Sequence, residues 1–159
     1  MNKKIVVLFF AALVLTAHAQ PAAPRPPERE TFRAKTLWPL HEAVQEGNTK
    51  AIRKLLAQGY CINEVDFDRS WTPLHWAVAH NKIECVKILL LNIAHVHAAD
   101  YQGLTPLHVA AALGHLACCQ LLIQKGAYVA QQTNAGITPA MLAAKKKEHT
   151  IAEYLNSLA

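Results

Sequence analysis

Thr72-Pro73-Leu74-His75-Trp76-Ala77, in one-letter code TPLHWA, is the most informative segment of the sequence, because it returns at a fixed spacing. It recurs as TPLHVA over 105–110 and in degenerate form as TPAMLA over 138–143, each copy 33 residues after the one before. An earlier copy, WPLHEA over 38–43, starts 34 residues before the first, so the first connecting loop has one extra residue. Such a period predicts a row of similar supersecondary units, which bury their apolar faces only by stacking on one another.

The residue types in each copy are those of a helix start. The Thr hydroxyl accepts a hydrogen bond from a backbone N–H of the first turn, and Pro at the first helical position has no N–H to leave unpaired. Leu74 and Ala77 are spaced to face a neighbouring helix, and the small Ala lets the two helices approach closely. A second, mostly apolar helix is predicted after the motif, over 83–91 and over 116–124. Each unit is therefore predicted to be a helix-turn-helix.

A 33-residue period that carries T-P-L-H-x-A resembles the ankyrin-repeat family, and the resemblance runs from about residue 36 to the C-terminus. It implies an all-α solenoid of about four stacked helix-turn-helix units, joined by short hairpin-like finger loops. We expect the ankyrin-repeat domain to span 36–159, with repeats at about 36–66, 67–99, 100–132 and 133–159. Individual copies depart from the family pattern at Trp38, Ser70, Ile93 and Ala140.

The N-terminal stretch MNKKIVVLFFAALVLTAHAQ has the layout of a secretory signal. Two lysines precede an apolar run, and Ala17-His18-Ala19 offers the small residues that a signal peptidase requires. We predict a cleavable signal peptide over 1–19 and a proline-rich flexible tail over 20–35. The apolar run is shorter than the roughly 20 residues that span a bilayer, so no stable membrane insertion is expected after cleavage. The style of the signal indicates a bacterial source and a periplasmic or secreted product, and a eukaryotic secretory route stays open.

Composition and charge indicate which class of molecule the chain binds. The chain has 159 residues, of which 52% are hydrophobic, and its formal charge of +5 falls to +3 without Lys3 and Lys4. Its basic residues are scattered apart from the run over 145–147, and no basic stripe with interleaved aromatics is present, so nucleic acid is not expected as a partner. The sequence contains no enzyme motif and only 6 glycines. We expect a monomeric, non-catalytic protein without a cofactor, whose partner is another protein.

Histidines suggest both a structural role and a rival function. The resemblance implies that His41, His75 and His108, which stand in the motif copies, tie each helix start to an adjacent turn by hydrogen bonds. His95 and His97 flank one residue and would point to the same side if the segment is extended. Together with Cys61 they define the alternative hypothesis, a metal-binding or redox-active envelope protein, although no further ligand has defined spacing.

The four cysteines do not predict a disulfide framework. Cys85 and Cys118 are 33 residues apart and so occupy equivalent sites on stacked helices, whose axes lie about 8 to 10 Å apart. A disulfide requires Cα atoms within about 7 Å. We therefore interpret Cys85, Cys118 and Cys119 as small core residues, and we expect Cys61 to be exposed.

The partner-binding face is predicted by carrying the family's contact positions over in register. Apolar side chains at several of these positions favour a protein partner. The alternative is that Trp71 and Leu104 pack inward against the next finger. The hypothesis is a module that inhibits, stabilises or escorts one partner protein. The predicted finger residues are Asp68, Arg69, Trp71, Tyr101, Gln102, Leu104, Asn134 and Ile137, and the predicted palm residues, toward the end of each first helix, are His80, Leu113, Lys145 and Lys146, flanked by Gln45, Glu46, Ala79 and Ala112.

Overall fold

A computed structural model describes residues 39–158. The predicted signal peptide, the proline-rich tail and Trp38 lie outside the described residues. Within 39–158 the chain forms eight α-helices and no strand, so the prediction of an all-α solenoid is confirmed. The helices are α1 Pro39–Glu46, α2 Thr49–Ala57, α3 Pro73–Ala79, α4 Ile83–Leu91, α5 Pro106–Ala112, α6 Leu116–Gln124, α7 Pro139–Lys145 and α8 His149–Asn156.

Each motif copy begins a first helix, as the sequence predicted. Thr72 and Thr138 have extended backbones at the N-cap, and Pro stands at the first helical position after each. The Thr138 hydroxyl accepts from the Met141 N–H at 3.3 Å. A Thr-Pro pair thus satisfies one backbone donor and removes another, which fixes the start of the helix.

The helix pairs stack in two rows. The first helices contact one another in the order α1, α3, α5 and α7, and the second helices α2, α4 and α6 form an adjacent row. Fully buried leucines recur at equivalent positions of the first helices, namely Leu40, Leu74 and Leu107. Ala77 and Ala110 are also fully buried, which lets the first helices approach closely. The hydrophobic core is therefore continuous through all four repeats.

The turn after each second helix requires a left-handed backbone. Gly59 and Gly126 adopt φ values of 86° and 88° at this position, where a glycine carries no steric penalty. Ile93 stands at the same place in the second repeat with φ of 64°, and its side chain is 82% exposed. A β-branched residue with positive φ is strained, so the second repeat carries a local cost that its neighbours avoid.

No helix within residues 39–158 combines the length and the apolar character that crossing a bilayer requires.

Candidate binding face

Three buried motif histidines fasten each repeat to the finger of the next. His41 Nε2 lies 3.1 Å from the carbonyl oxygen of Trp71, His75 Nε2 lies 3.1 Å from that of Leu104, and His108 Nε2 lies 3.0 Å from that of Ile137. A carbonyl oxygen only accepts, so each ring must carry its proton on Nε2. The predicted structural role of these histidines is confirmed.

The second ring nitrogen of two of these histidines closes the helix start. His75 Nδ1 accepts from the Thr72 N–H at 3.2 Å and lies 2.9 Å from the Thr72 hydroxyl. His108 and Thr105 repeat this geometry with the same two distances. His41 Nδ1 is buried without a hydrogen-bond partner among residues 39–158. The first copy of the motif has Trp rather than Thr at the corresponding position, which removes the hydroxyl.

Burial keeps these rings neutral. Desolvation lowers the pKa of His75 to about 4, against an opposing hydrogen bond to the Leu104 carbonyl and the charges of Asp100 and Asp66. Desolvation likewise lowers the pKa of His41 and of His108. Each ring therefore presents one donor and one acceptor at neutral pH, as the two hydrogen bonds of His75 and of His108 require.

The fingers are short loops held by a side chain at their first residue. We define the second finger as 66–71, the third as 100–104 and the fourth as 133–137. Each is closed by a backbone hydrogen bond from the N–H of its first residue to the carbonyl of its last, at 2.9 to 3.0 Å. In the third finger Asp100 Oδ1 accepts from the N–H groups of Gln102 and Leu104, both at 2.8 Å. The carboxylate thus sets the shape of the loop.

Asp66 plays the same part in the second finger. Its Oδ1 accepts from the N–H groups of Arg69 and Trp71 at 2.9 and 3.1 Å, and its Oδ2 accepts from the Trp76 indole at 2.7 Å. Burial alone would raise the pKa of Asp66, but the hydrogen bonds from Arg69, Trp76 and Trp71 outweigh it and lower that pKa. The hydrogen bonds of Asp66 and of Asp100 were not predicted from the sequence. The available signal was an acidic residue shortly before two Thr-Pro pairs, at 66 and at 100.

Trp71 is not an exposed anchor, which corrects the expectation that it presents its ring to a partner. The side chain is only 9% exposed, and its indole Nε1 donates to Asp100 Oδ2 at 3.0 Å. Its ring stacks on His75 with 5.8 Å between centroids, and the Arg69 guanidinium lies 5.0 Å from its centroid. Trp71 therefore packs inward against the third finger, as the alternative interpretation held.

Most of the remaining predicted contact positions are open to solvent. Tyr101 is 67% exposed and Leu113 is 48% exposed. Leu104 and Ile137 are half-buried. Whether any of these residues touches a partner stays a prediction. The other exposed members of the set are Asp68, Arg69, His80, Gln102, Asn134, Lys145 and Lys146.

The third and fourth fingers are joined into one wall. The N–H of Asn134 donates to the carbonyl of Gln102, and the Asn134 side chain donates to the carbonyl of Tyr101, both at 3.0 Å. Gly103 also lies against this contact, because a Cβ at that position would meet the Asn134 backbone at 2.7 Å. The two fingers consequently present a single continuous edge.

A cavity of about 700 Å³ lies between this edge and the palm. It brings together six of the predicted positions, while Leu113, His80 and Lys145 are not among its lining residues. Ala112, which the sequence also placed in the palm, lines the cavity as well. Sequence reasoning missed three further residues, which line the cavity because two repeats meet there. The predicted members are Tyr101, Gln102, Leu104, Asn134, Ile137 and Lys146 together with Ala112, and the others are Thr133, Ala135 and Leu142.

The residues of the metal or redox hypothesis are not gathered into a site. His97 stacks on Tyr128 with 4.1 Å between ring centroids, and the His95 N–H donates to Asn63 Oδ1 at 2.8 Å. Across residues 39–158, no three His, Cys, Asp or Glu side chains are grouped so that they would hold a metal ion. Cys61 is exposed, as expected.

The other three thiols are buried, as predicted for core residues. Cys85, Cys118 and Cys119 are free and have at most 1% of their surface exposed. Desolvation raises the pKa of Cys118 to about 11, and desolvation together with the neighbouring Cys118 raises that of Cys119 to about 12. These buried groups stay as thiols at neutral pH, which agrees with a role as core residues.

Stacked helix pairs, fingers fastened by histidines and an open face define a helical-repeat solenoid. The chain belongs to the ankyrin-repeat family, because the family model described as ankyrin repeats (3 copies) matches residues 27–100 and 90–158. Ankyrin repeats are protein–protein interaction modules, which gives the face its general role.

Individual relatives match over shorter stretches. The chain is 44% identical over 48 residues to human ankyrin repeat and SOCS box protein 3 and 36% identical over 64 residues to mouse protein phosphatase 1 regulatory subunit 12A. It is also 44% identical over 52 residues to an ankyrin repeat protein of fowlpox virus (strain NVSL). These matches cover 30%, 40% and 33% of this chain, and 9%, 6% and 36% of the respective relatives. The chain therefore spans well under two thirds of each relative.

Proposed function

We propose that this chain is a non-catalytic binding protein that grips one partner protein on the face formed by its fingers and palm, and so inhibits, stabilises or escorts that partner. The observation that carries the proposal is the apolar cavity at the junction of the third and fourth repeats, which opens onto that face. Such a concavity with a few polar groups at its edge is the usual form of a recognition site.

The exposed side chains around the cavity support a protein partner. Tyr101 and Leu113 expose apolar surface beside it, and aromatic and large aliphatic side chains of this kind anchor protein interfaces. Trp71 supports the same face from beneath, because it holds the third finger in place. The name of one relative, a phosphatase regulatory subunit, describes a protein that acts through another protein.

We further propose that the protein acts after export, in a bacterial periplasm or outside the cell. The support is the N-terminal sequence alone, with its lysines, apolar run and Ala17-His18-Ala19. Mass spectrometry of the protein recovered from its source should find an N-terminus at Gln20. A chain that retains Met1 and stays in the cytoplasm would refute the proposed location.

Two matched pairs of exposed residues test the binding face. The mature protein, its Tyr101→Ala, Leu113→Ala variant and its Tyr128→Ala, Leu91→Ala variant are used to capture partners from the compartment that holds it. Tyr128 and Leu91 are 63% and 69% exposed and do not line the cavity, so they control for the loss of exposed apolar surface. Circular dichroism verifies that all three proteins fold.

The first variant should bind the captured partner at least about tenfold more weakly, because anchors of an interface carry most of its affinity. The control variant should bind as the unaltered protein does. If the two variants bind equally well, or if only the control loses the partner, the assigned face is wrong.

The rival metal or redox function makes a different prediction. It requires bound metal, or a thiol count below four under denaturing conditions, in the purified mature protein. Detection of either would favour the rival.

A further inference from the structure

We infer that the cavity between the third and fourth repeats binds an extended segment of the partner that carries a bulky apolar side chain beside acidic residues. This inference rests on the proposed function and adds to it the chemistry of the partner.

The apolar walls of the cavity favour a bulky apolar side chain in the partner segment. Leu104 and Ile137 form the finger side, and Leu142 with Ala112 forms the palm side. Each of these four side chains is half-buried, so each still exposes apolar surface into the opening. A volume of about 700 Å³ lies in the range of cavities that hold a specific ligand. Burying a large apolar side chain here removes both its surface and the surface of the walls from water.

One positively charged side chain at the cavity wall favours an acidic residue in the partner segment. Lys146 lines the cavity, is exposed, and continues a run with Lys145 and Lys147. Within residues 39–158 none of the three lysines forms an ion pair with an acidic side chain. A partner carboxylate placed beside the apolar anchor would lie next to Lys146, the lysine of this run that lines the cavity.

The charge of the face changes along its length, which argues against a general polyanion. The residues at the ends of the four first helices, in equivalent positions, are Glu46, His80, Leu113 and Lys146. The face therefore runs from an acidic end at the first repeat to a basic end at the fourth. A nucleic acid needs positive charge along its whole track. A protein segment with acidic residues on one side only of its anchor matches this gradient and has a single favourable direction.

The finger edge provides polar groups for an extended main chain. Gln102 lines the cavity, and its side-chain amide makes no hydrogen bond within residues 39–158, so the amide has a donor and an acceptor to offer. Asn134 is already engaged with Tyr101 and holds the edge rigid. A rigid edge lowers the entropy lost on binding.

The test begins with selection of short random peptides displayed on phage against the mature protein. The inference predicts enriched peptides in which an aromatic or large aliphatic residue stands within a few positions of two or more Asp or Glu residues. Enriched peptides that are basic or without charge bias would overturn it, and so would a selection that enriches none.

Charge reversal at two helix ends then locates the carboxylate. Lys146 and Lys125 are both exposed and both follow the last residue of a helix, but only Lys146 lines the cavity. A synthetic peptide of the selected sequence should bind the Lys146→Glu variant about fivefold or more weakly, since an ion pair worth up to about 1 kcal/mol becomes a repulsion. The Lys125→Glu variant changes the net charge equally and should bind within about twofold of the unaltered protein. Equal losses in the two variants would overturn the inference.

A further variant and a measurement of assembly complete the test. The Leu142→Ala variant should bind the peptide more weakly, while its circular dichroism spectrum shows an unchanged helical signal. Sedimentation in the absence of peptide should show a monomer. A dimer that the peptide dissociates would assign the cavity to a second copy of this chain and would overturn the inference. The proposed function fails separately, if partner capture does not depend on Tyr101 and Leu113.

Discussion

The indole nitrogen of Trp71 donates a hydrogen bond to Oδ2 of Asp100 at 3.0 Å, across 29 residues of sequence. This contact joins the second finger to the third, and the other carboxylate oxygen of Asp100 shapes the third finger itself. The second and third fingers are therefore coupled by a charge-assisted hydrogen bond. The binding face is built on this coupling, because the third finger forms one wall of the cavity.

We predict that Trp71→Phe destabilises the protein by about 1 to 3 kcal/mol, because it leaves a partly buried carboxylate oxygen without its indole donor. The free energy of unfolding is measured by urea denaturation for the single variants Trp71→Phe and Asp100→Asn and for the double variant. The two effects should not add, and the coupling energy should exceed about 0.5 kcal/mol, as it does for residues in contact. Additive effects would mean that the hydrogen bond does not contribute to stability.

Stability should fall in mild acid because the motif histidines are buried in the neutral form. His75 has its pKa lowered from 6.5 to about 4 on folding, so below pH 6.5 the unfolded chain binds a proton that the folded chain does not. The stabilising contribution is complete above pH 6.5 and is lost progressively as the pH falls to about 4. His41 and His108, whose pKa values are also lowered, add to the loss in the same direction.

Urea denaturation at a series of pH values between neutrality and mild acid measures this loss. In the middle of this range the His75→Asn variant should show a pH slope smaller by about 1.4 kcal/mol per pH unit, the value of one proton. An unchanged slope would show that His75 is not buried as a neutral ring.

The parts of this fold that sequence could predict are those fixed by local chemistry. The helix starts at Pro73, Pro106 and Pro139 follow from a Thr cap and a Pro within a few residues, and the structure confirms them. The burial of Trp71 was not predictable in the same way, because its hydrogen-bond partner lies in the next repeat. Leu142 was missed for a related reason, since it becomes a cavity wall only where two repeats meet.

Ile93→Gly should stabilise the protein by about 1 kcal/mol. A left-handed backbone costs an L-residue roughly 1 to 2 kcal/mol, and the greater entropy of glycine in the unfolded chain takes back part of this gain. The Ile93 side chain is 82% exposed, so little packing is lost with it. Thermal unfolding measures the change.

The equivalent position of the next repeat gives the matched control for Ile93. Gly126→Ile introduces the same residue at φ of 88° and should destabilise the protein. If neither substitution changes the midpoint of unfolding, backbone strain at this turn does not contribute to the stability of the protein.

Thiol reactivity should separate Cys61 from the other three cysteines. In the native protein Ellman's reagent should react quickly with one exposed thiol, while Cys85, Cys118 and Cys119 react only as the protein unfolds, because they are buried and their pKa values are raised. The total after denaturation should be four. Fast reaction of two or more thiols in the native state would contradict the stacked core.

Hydrogen exchange on the complex with the captured partner measures whether the third and fourth fingers contact that partner. Amide exchange, followed by mass spectrometry of the free and bound protein, should slow over residues 100–104 and 133–146. It should stay unchanged over α6, Leu116–Gln124, which belongs to the row of second helices. Protection confined to α6 and the other second helices, with none in the third and fourth fingers, would contradict the account.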